Sequence, residues 1–113
     1  MPNGDPGWHS AQPGEQTVRL LFDAPQWIRR IQLEFVEKRV ERIQEFVLRW
    51  LAASGTVYRD VVRQQFVFSP RGANREFEDF QVDLRDSAGL ELRINPDLGR
   101  NMASASLRRL RVG

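Results

Sequence analysis

A chain of 113 residues without cysteine has room for one domain, which buries roughly 65% of its unfolded surface in a single core; a disulfide framework, thiol chemistry and thiolate metal sites are excluded. The formal charge is only +2, because 17 Lys and Arg stand against 15 Asp and Glu, and their interleaving along most of the chain argues against a phosphate-tracking nucleic-acid surface. No apolar run approaches the roughly 18 residues of a membrane span, and the N-terminus lacks the basic and apolar regions of a signal peptide, which favours a cytoplasmic protein.

Residues 1–16 carry Pro2, Gly4, Pro6, Gly7, Pro13 and Gly14 and read as a loop or ordered arm. Thr17 to Phe22 is a predicted strand, with a turn at Asp23-Ala24-Pro25; Ile31, Leu33 and Phe35 then alternate with polar residues as a second strand. The span from Gln26 to Ala53 admits two readings. Ile28, Ile31, Phe35, Val40, Ile43, Val47 and Trp50 recur at helical spacings, whereas a strand reading breaks the span in a loop at Glu37–Arg42 and sets Phe46, Leu48 and Trp50 on one face. Ser54-Gly55 marks a turn, and Val57 to Phe68 a strand.

A turn through Pro70, Gly72 and Asn74 leads to Glu76–Leu84, where apolar Phe80, Val82 and Leu84 alternate with polar Asp79, Gln81 and Asp83. Period-2 alternation is the signature of a strand with one buried face. Leu90, Leu92 and Ile94 repeat it up to Asn95-Pro96-Asp97, and Ala103 to Val112 reads as a short basic helix or a closing strand. Three such runs separated by turns predict an antiparallel sandwich cored by Phe46, Leu48, Phe66, Phe68, Val82, Leu92 and Ile94. Arg100, Arg108, Arg109 and Arg111 form a local excess of positive charge near the C-terminus.

No catalytic constellation accompanies this pattern, and no enzyme activity is expected. His9 and Ser10 are adjacent on an extended segment and point apart, while Glu76 and Glu78 read as a solvated face. Trp27 and Trp50 read as core or edge packing. Of Gln64 and Gln65, one side chain must face inward or lie at an edge.

The run Asn3-Gly4-Asp5-Pro6-Gly7-Trp8-His9-Ser10, then Val18 to Phe22, Pro25 and Ile28 to Phe35, resembles the opening of a discoidin domain, the coagulation-factor C-type module. Ala105-Ser106-Leu107 to Val112-Gly113 resembles its last strand, with Phe46–Trp50 and Phe66–Pro70 between. The resemblance implies an all-β, antiparallel jelly-roll sandwich of the galactose-binding-like type over residues 1–113, and two strands rather than a helix over 26–53. Only Met1 and Pro2 precede the Asp-Gly turn where the family has a first strand; the edge so exposed would suit a partner strand or a homodimer.

The same resemblance implies a non-catalytic binding module whose loops at one end of the sandwich take a carbohydrate or other polar ligand; the alternative is a protein-interaction scaffold. Its ligand residues would be Trp8, His9 and Gln12 in the first loop, Lys38, Arg39 and Arg42 in the second, and Arg71, Asn74 and Arg75 in the third. An aromatic face for a sugar ring and polar groups for its hydroxyls are what such a site needs. Many modules of the family hold a structural Ca²⁺, for which the resemblance leaves Asn3, Asp5 and Ser10 here. Asn3 stands where an Asp is frequent and Arg109 where a Glu is, and a cation in place of an anionic ligand opposes binding, so no cofactor is expected.

Overall fold

The computed structural model describes residues 8–37, 41–69, 71–98 and 104–113, with side chains from residue 14 onward except 104–106. They form seven strands: β1 (Trp8–Pro13), β2 (Gln16–Val36), β3 (Arg42–Ala52), β4 (Arg59–Phe68), β5 (Arg75–Asn95), β6 (Ser104–Leu107) and β7 (Arg109–Val112). One antiparallel sheet has the order β4-β3-β5-β2-β7, and a second is the pair β1-β6. Among the described residues no helix is long and apolar enough to cross a membrane.

Two 21-residue strands make the five-stranded sheet fold over on itself. Residues 16–21 of β2 pair with 89–94 of β5, and residues 30–36 of β2 with 75–81 of β5; the register shifts in between. The first pairing continues into β3 and β4, the second into β7. Phe46 of β3 stacks on Phe35 of β2 at 5.4 Å between ring centroids and lies 6.3 Å from Phe80 of β5, although none of these pairs are hydrogen-bonded neighbours. The two halves are therefore opposed layers with a shared core of Ile31, Leu33, Phe35, Phe46, Leu48, Phe68, Leu90, Leu92 and Ile94. Phe66 and Val82, expected in the core, are half-buried against it.

The bend has its own chemistry. Asp86 adopts a positive φ of 51°, a conformation Asp tolerates better than most residues. At Gly89 a Cβ would stand 2.7 Å from the carbonyl oxygen of Leu20, so only glycine lets β5 approach β2 there. Pro25 falls in the unpaired stretch of β2 between Leu21 and Gln26, where its missing N–H leaves no ladder bond unmade.

Several expectations are corrected. Residues 8–13 are a strand, because tertiary pairing with 104–107 outweighs the local Pro and Gly content. Asp23-Ala24-Pro25 is an irregular stretch inside β2, and the two alternating runs from Glu76 to Ile94 are one strand. The described residues between 26 and 53 hold strands and no helix, as the resemblance implied, and 104–112 contains two short strands. Glu76 and Glu78 do not form a solvated face. Glu76 is 2% exposed and Glu78 half-buried; they point between the layers, where Gln44 Nε2 donates to Glu76 at 3.3 Å and Gln64 Nε2 to Glu78 at 3.2 Å. The inward member of the glutamine pair is thus Gln64, while Gln65 binds Glu45 on the outer face.

Candidate ligand-binding site

On the layer made by β5, β2 and β7, alternation turns Ile31, Leu33 and Phe35 inward and their neighbours outward. The register sets the outer face in rows: Arg75 beside Val36, then Phe77, Glu34 and Arg109, then Asp79, Gln32 and Arg111, then Gln81 beside Arg30. Glu34 is 3% exposed because Arg75 pairs with it from one side and Arg108, at 3.5 Å, from the other. Where the β4–β5 loop meets the ends of β2 and β7, a groove of about 310 Å³ is lined by Glu34, Val36, Asn74, Arg75, Arg108 and Arg109. It continues along β7 into a recess of about 110 Å³ bounded by Gln32, Phe77, Arg109 and Arg111.

Farther along the same face lies a broad depression of about 530 Å³ around Trp27, Arg30, Gln81 and Asp83. Trp27 is exposed, which corrects its reading as packing. Its indole N–H donates to Asp83 at 2.7 Å, and the Arg29 and Arg85 guanidinia each lie 4.4 Å from the ring centroid. A sugar could stack on this ring only by displacing a guanidinium. The hydrogen bond from Trp27, with that from Arg85, holds the Asp83 carboxyl below its ordinary range. The hydrogen bond from Arg30 does the same for Asp79.

The outer face of the opposite layer has a recess of about 120 Å³ lined by Glu15, Glu45, Val47, Arg63, Arg93 and Asn95, and carboxylates engage the arginines around it. Glu91 is buried there, which by itself would raise its pKa, yet Arg19, Arg93 and Arg49 around it lower it. Arg49 also pairs with Asp60 and Arg63 with Glu45.

Of the expected ligand residues, Asn74 and Arg75 meet in the end groove. Arg71 is exposed on the β4–β5 loop and does not line it. Arg42 is no surface ligand: it is 3% exposed, donating to Glu37 at 2.8 Å, to Gln44 at 3.0 Å and to the Pro96 carbonyl at 2.6 Å, with Phe68 under its guanidinium. The alternation that begins at Phe46 turns Arg42 inward, and three acceptors make that burial affordable. Trp8, His9, Gln12 and Ser10 lie on β1, where only backbone is described; Trp8 stands opposite Leu107, next to Arg108. Lys38, Arg39, Asn3 and Asp5 fall outside the described residues. Glu34, Gln32 and Phe77 were not anticipated, whereas Arg108, Arg109 and Arg111 were visible as the C-terminal excess of charge.

No protein-family model matches the chain, and no curated protein is similar to it in sequence. Solved structures are similar to it in three dimensions. The chain shares the fold of a chitosan-binding module. That similarity is to module 1 of a chitosanase/glucanase from Paenibacillus sp. IK-5, with a TM-score of 0.56 at 16% identity, covering 95% of this chain and 75% of that one. Looser likenesses are to a family 35 carbohydrate-binding module from Clostridium thermocellum (TM-score 0.38, 11% identity, 95% of this chain and 67% of that one) and to the ANX1 ectodomain from Arabidopsis thaliana (0.43, 16%, 87% and 27%).

Proposed function

We propose that the chain is a non-catalytic carbohydrate-binding module, a jelly-roll sandwich of the discoidin, galactose-binding-like type that takes a saccharide at one end. The observation that carries the reading is the open groove in which Asn74, Arg75, Arg108 and Arg109 converge. An amide supplies both donors and acceptors, and guanidinia supply forked donors, which is the polar equipment that fixes sugar hydroxyls in a shallow site. The likeness in fold to a chitosan-binding module supports the reading. Glu76 does not furnish an alternative chemistry, because it lies between the layers and is held by Gln44. No resident cofactor is part of this reading.

Calorimetric titration with a panel of oligosaccharides tests it. At least one should bind, and Asn74→Ala and Arg75→Ala should each weaken that binding about 5- to 50-fold, the loss of one or two hydrogen bonds, with Asn74→Ala leaving the melting temperature within a few degrees. A panel without a ligand, or binding indifferent to both substitutions, refutes the site.

A further inference from the structure

We infer that the saccharide is anionic, its carboxylate or sulfate groups held on Arg109 and Arg111 of β7. This rests on the module reading above and adds the charge of the ligand. Arg109 and Arg111 occupy one face of an edge strand, about 7 Å apart by strand geometry. Both are exposed.

The nearby acids are already engaged. Glu34 is paired with Arg75 and Arg108, Asp79 with Arg30, and Asp83 with Trp27 and Arg85. Among the described residues no carboxylate is paired with Arg109 or Arg111. On the opposite layer, by contrast, Arg19, Arg49 and Arg93 converge on Glu91. The pair on β7 therefore offers two guanidinium forks, each able to take carboxylate or sulfate oxygens in bidentate fashion.

Beside them are the features of a sugar subsite. Phe77 is 51% exposed, and with Gln32 it lines the recess that both arginines border. Its ring can receive the apolar face of a hexose, and Gln32 a hydroxyl. A polycation such as protonated chitosan meets like charge here, so likeness of fold does not extend to likeness of ligand. A nucleic acid is also a poor fit, because Glu34, Asp79 and Asp83 are interleaved with the cations that would have to follow its phosphates.

Titration of the full chain at low ionic strength with polygalacturonate, dextran sulfate, neutral dextran, chitosan oligosaccharide and duplex DNA decides the matter. An acidic polysaccharide should bind at least about tenfold more tightly than dextran. Arg109→Gln and Arg111→Gln should each weaken it about 10- to 100-fold, as expected for a hydrogen bond to a charged group, and Phe77→Ala should weaken it as well. Raising the salt concentration should lower the affinity. Preference for polygalacturonate or for dextran sulfate distinguishes carboxylate from sulfate recognition. The inference is overturned if dextran or chitosan binds as tightly as the acidic polymers, if both arginine variants bind them unchanged, or if DNA outcompetes them. A neutral or cationic saccharide whose binding is lost in Asn74→Ala would sink the inference and leave the module reading standing. Failure of every saccharide would sink both.

Discussion

Glu76 is the least comfortable side chain in the core. Burial and, after it, the neighbouring Glu78 raise its pKa to about 7, against the pull of the Gln44 hydrogen bond and of Arg42. A carboxyl whose folded pKa lies above its unfolded one holds its proton better in the native state, so the stability this group contributes is fully present below about pH 4.5 and is lost as the pH rises through about 7. The loss should be on the order of 1–3 kcal/mol. Glu76→Gln keeps a partner for Gln44 without the charge; denaturant melts should find it at least as stable as the wild type at pH 8, with a flatter profile between pH 5 and 8. A wild-type stability unchanged over that interval would contradict the burial argument. The alternation did contain this information. Glu76 and Glu78 share the parity of Phe80, Val82 and Leu84, whereas Phe77 shares that of Asp79. Residue type spoke for acids outside and Phe inside, and the pleat, which has no exceptions within a regular stretch, decided otherwise. Arg42 was misjudged for the same reason, since its parity is that of Phe46 and Leu48.

At the scale of elements, the strands themselves were legible but their continuity was not. A Pro within a turn-like triplet at 23–25 and an Asp-Ser-Ala-Gly run at 86–89 look like chain reversals. Here they are the irregular midpoints of β2 and β5, where each strand passes from one layer to the other. Local sequence cannot distinguish a bend from a reversal, because both need the same residues. The helical spacing over 26–53 failed likewise, as cross-strand pairing outweighs a weak local period. Gly89 tests the bend: Gly89→Ala would drive a methyl against the Leu20 carbonyl, with the Leu21 side chain at 3.1 Å. It should cost about 1–3 kcal/mol by the usual price of overpacking, read as a lower denaturation midpoint with an unchanged denaturant slope. A neutral substitution would mean that β2 and β5 are not in close approach there.

Taken as a whole, the molecule presents two charged outer faces on one core that differ in how their cations are engaged. One has its cations tied to Glu91 and Glu45; the other leaves Arg109 and Arg111 unengaged and ends in the groove of Asn74 and Arg75. Part of that end was readable from the resemblance to discoidin domains, which pointed to Asn74 and Arg75. The remainder required the register of β2 with β7, since nothing in the sequence tells which strand Arg109 and Arg111 lie beside. Backbone amide shifts recorded by NMR during titration with the best-binding saccharide test the central claim most directly. The account predicts that perturbations concentrate in residues 32–36, 74–77 and 108–112. Perturbations centred instead on the face of Arg19, Arg49 and Glu91, or spread evenly over the chain, would contradict it.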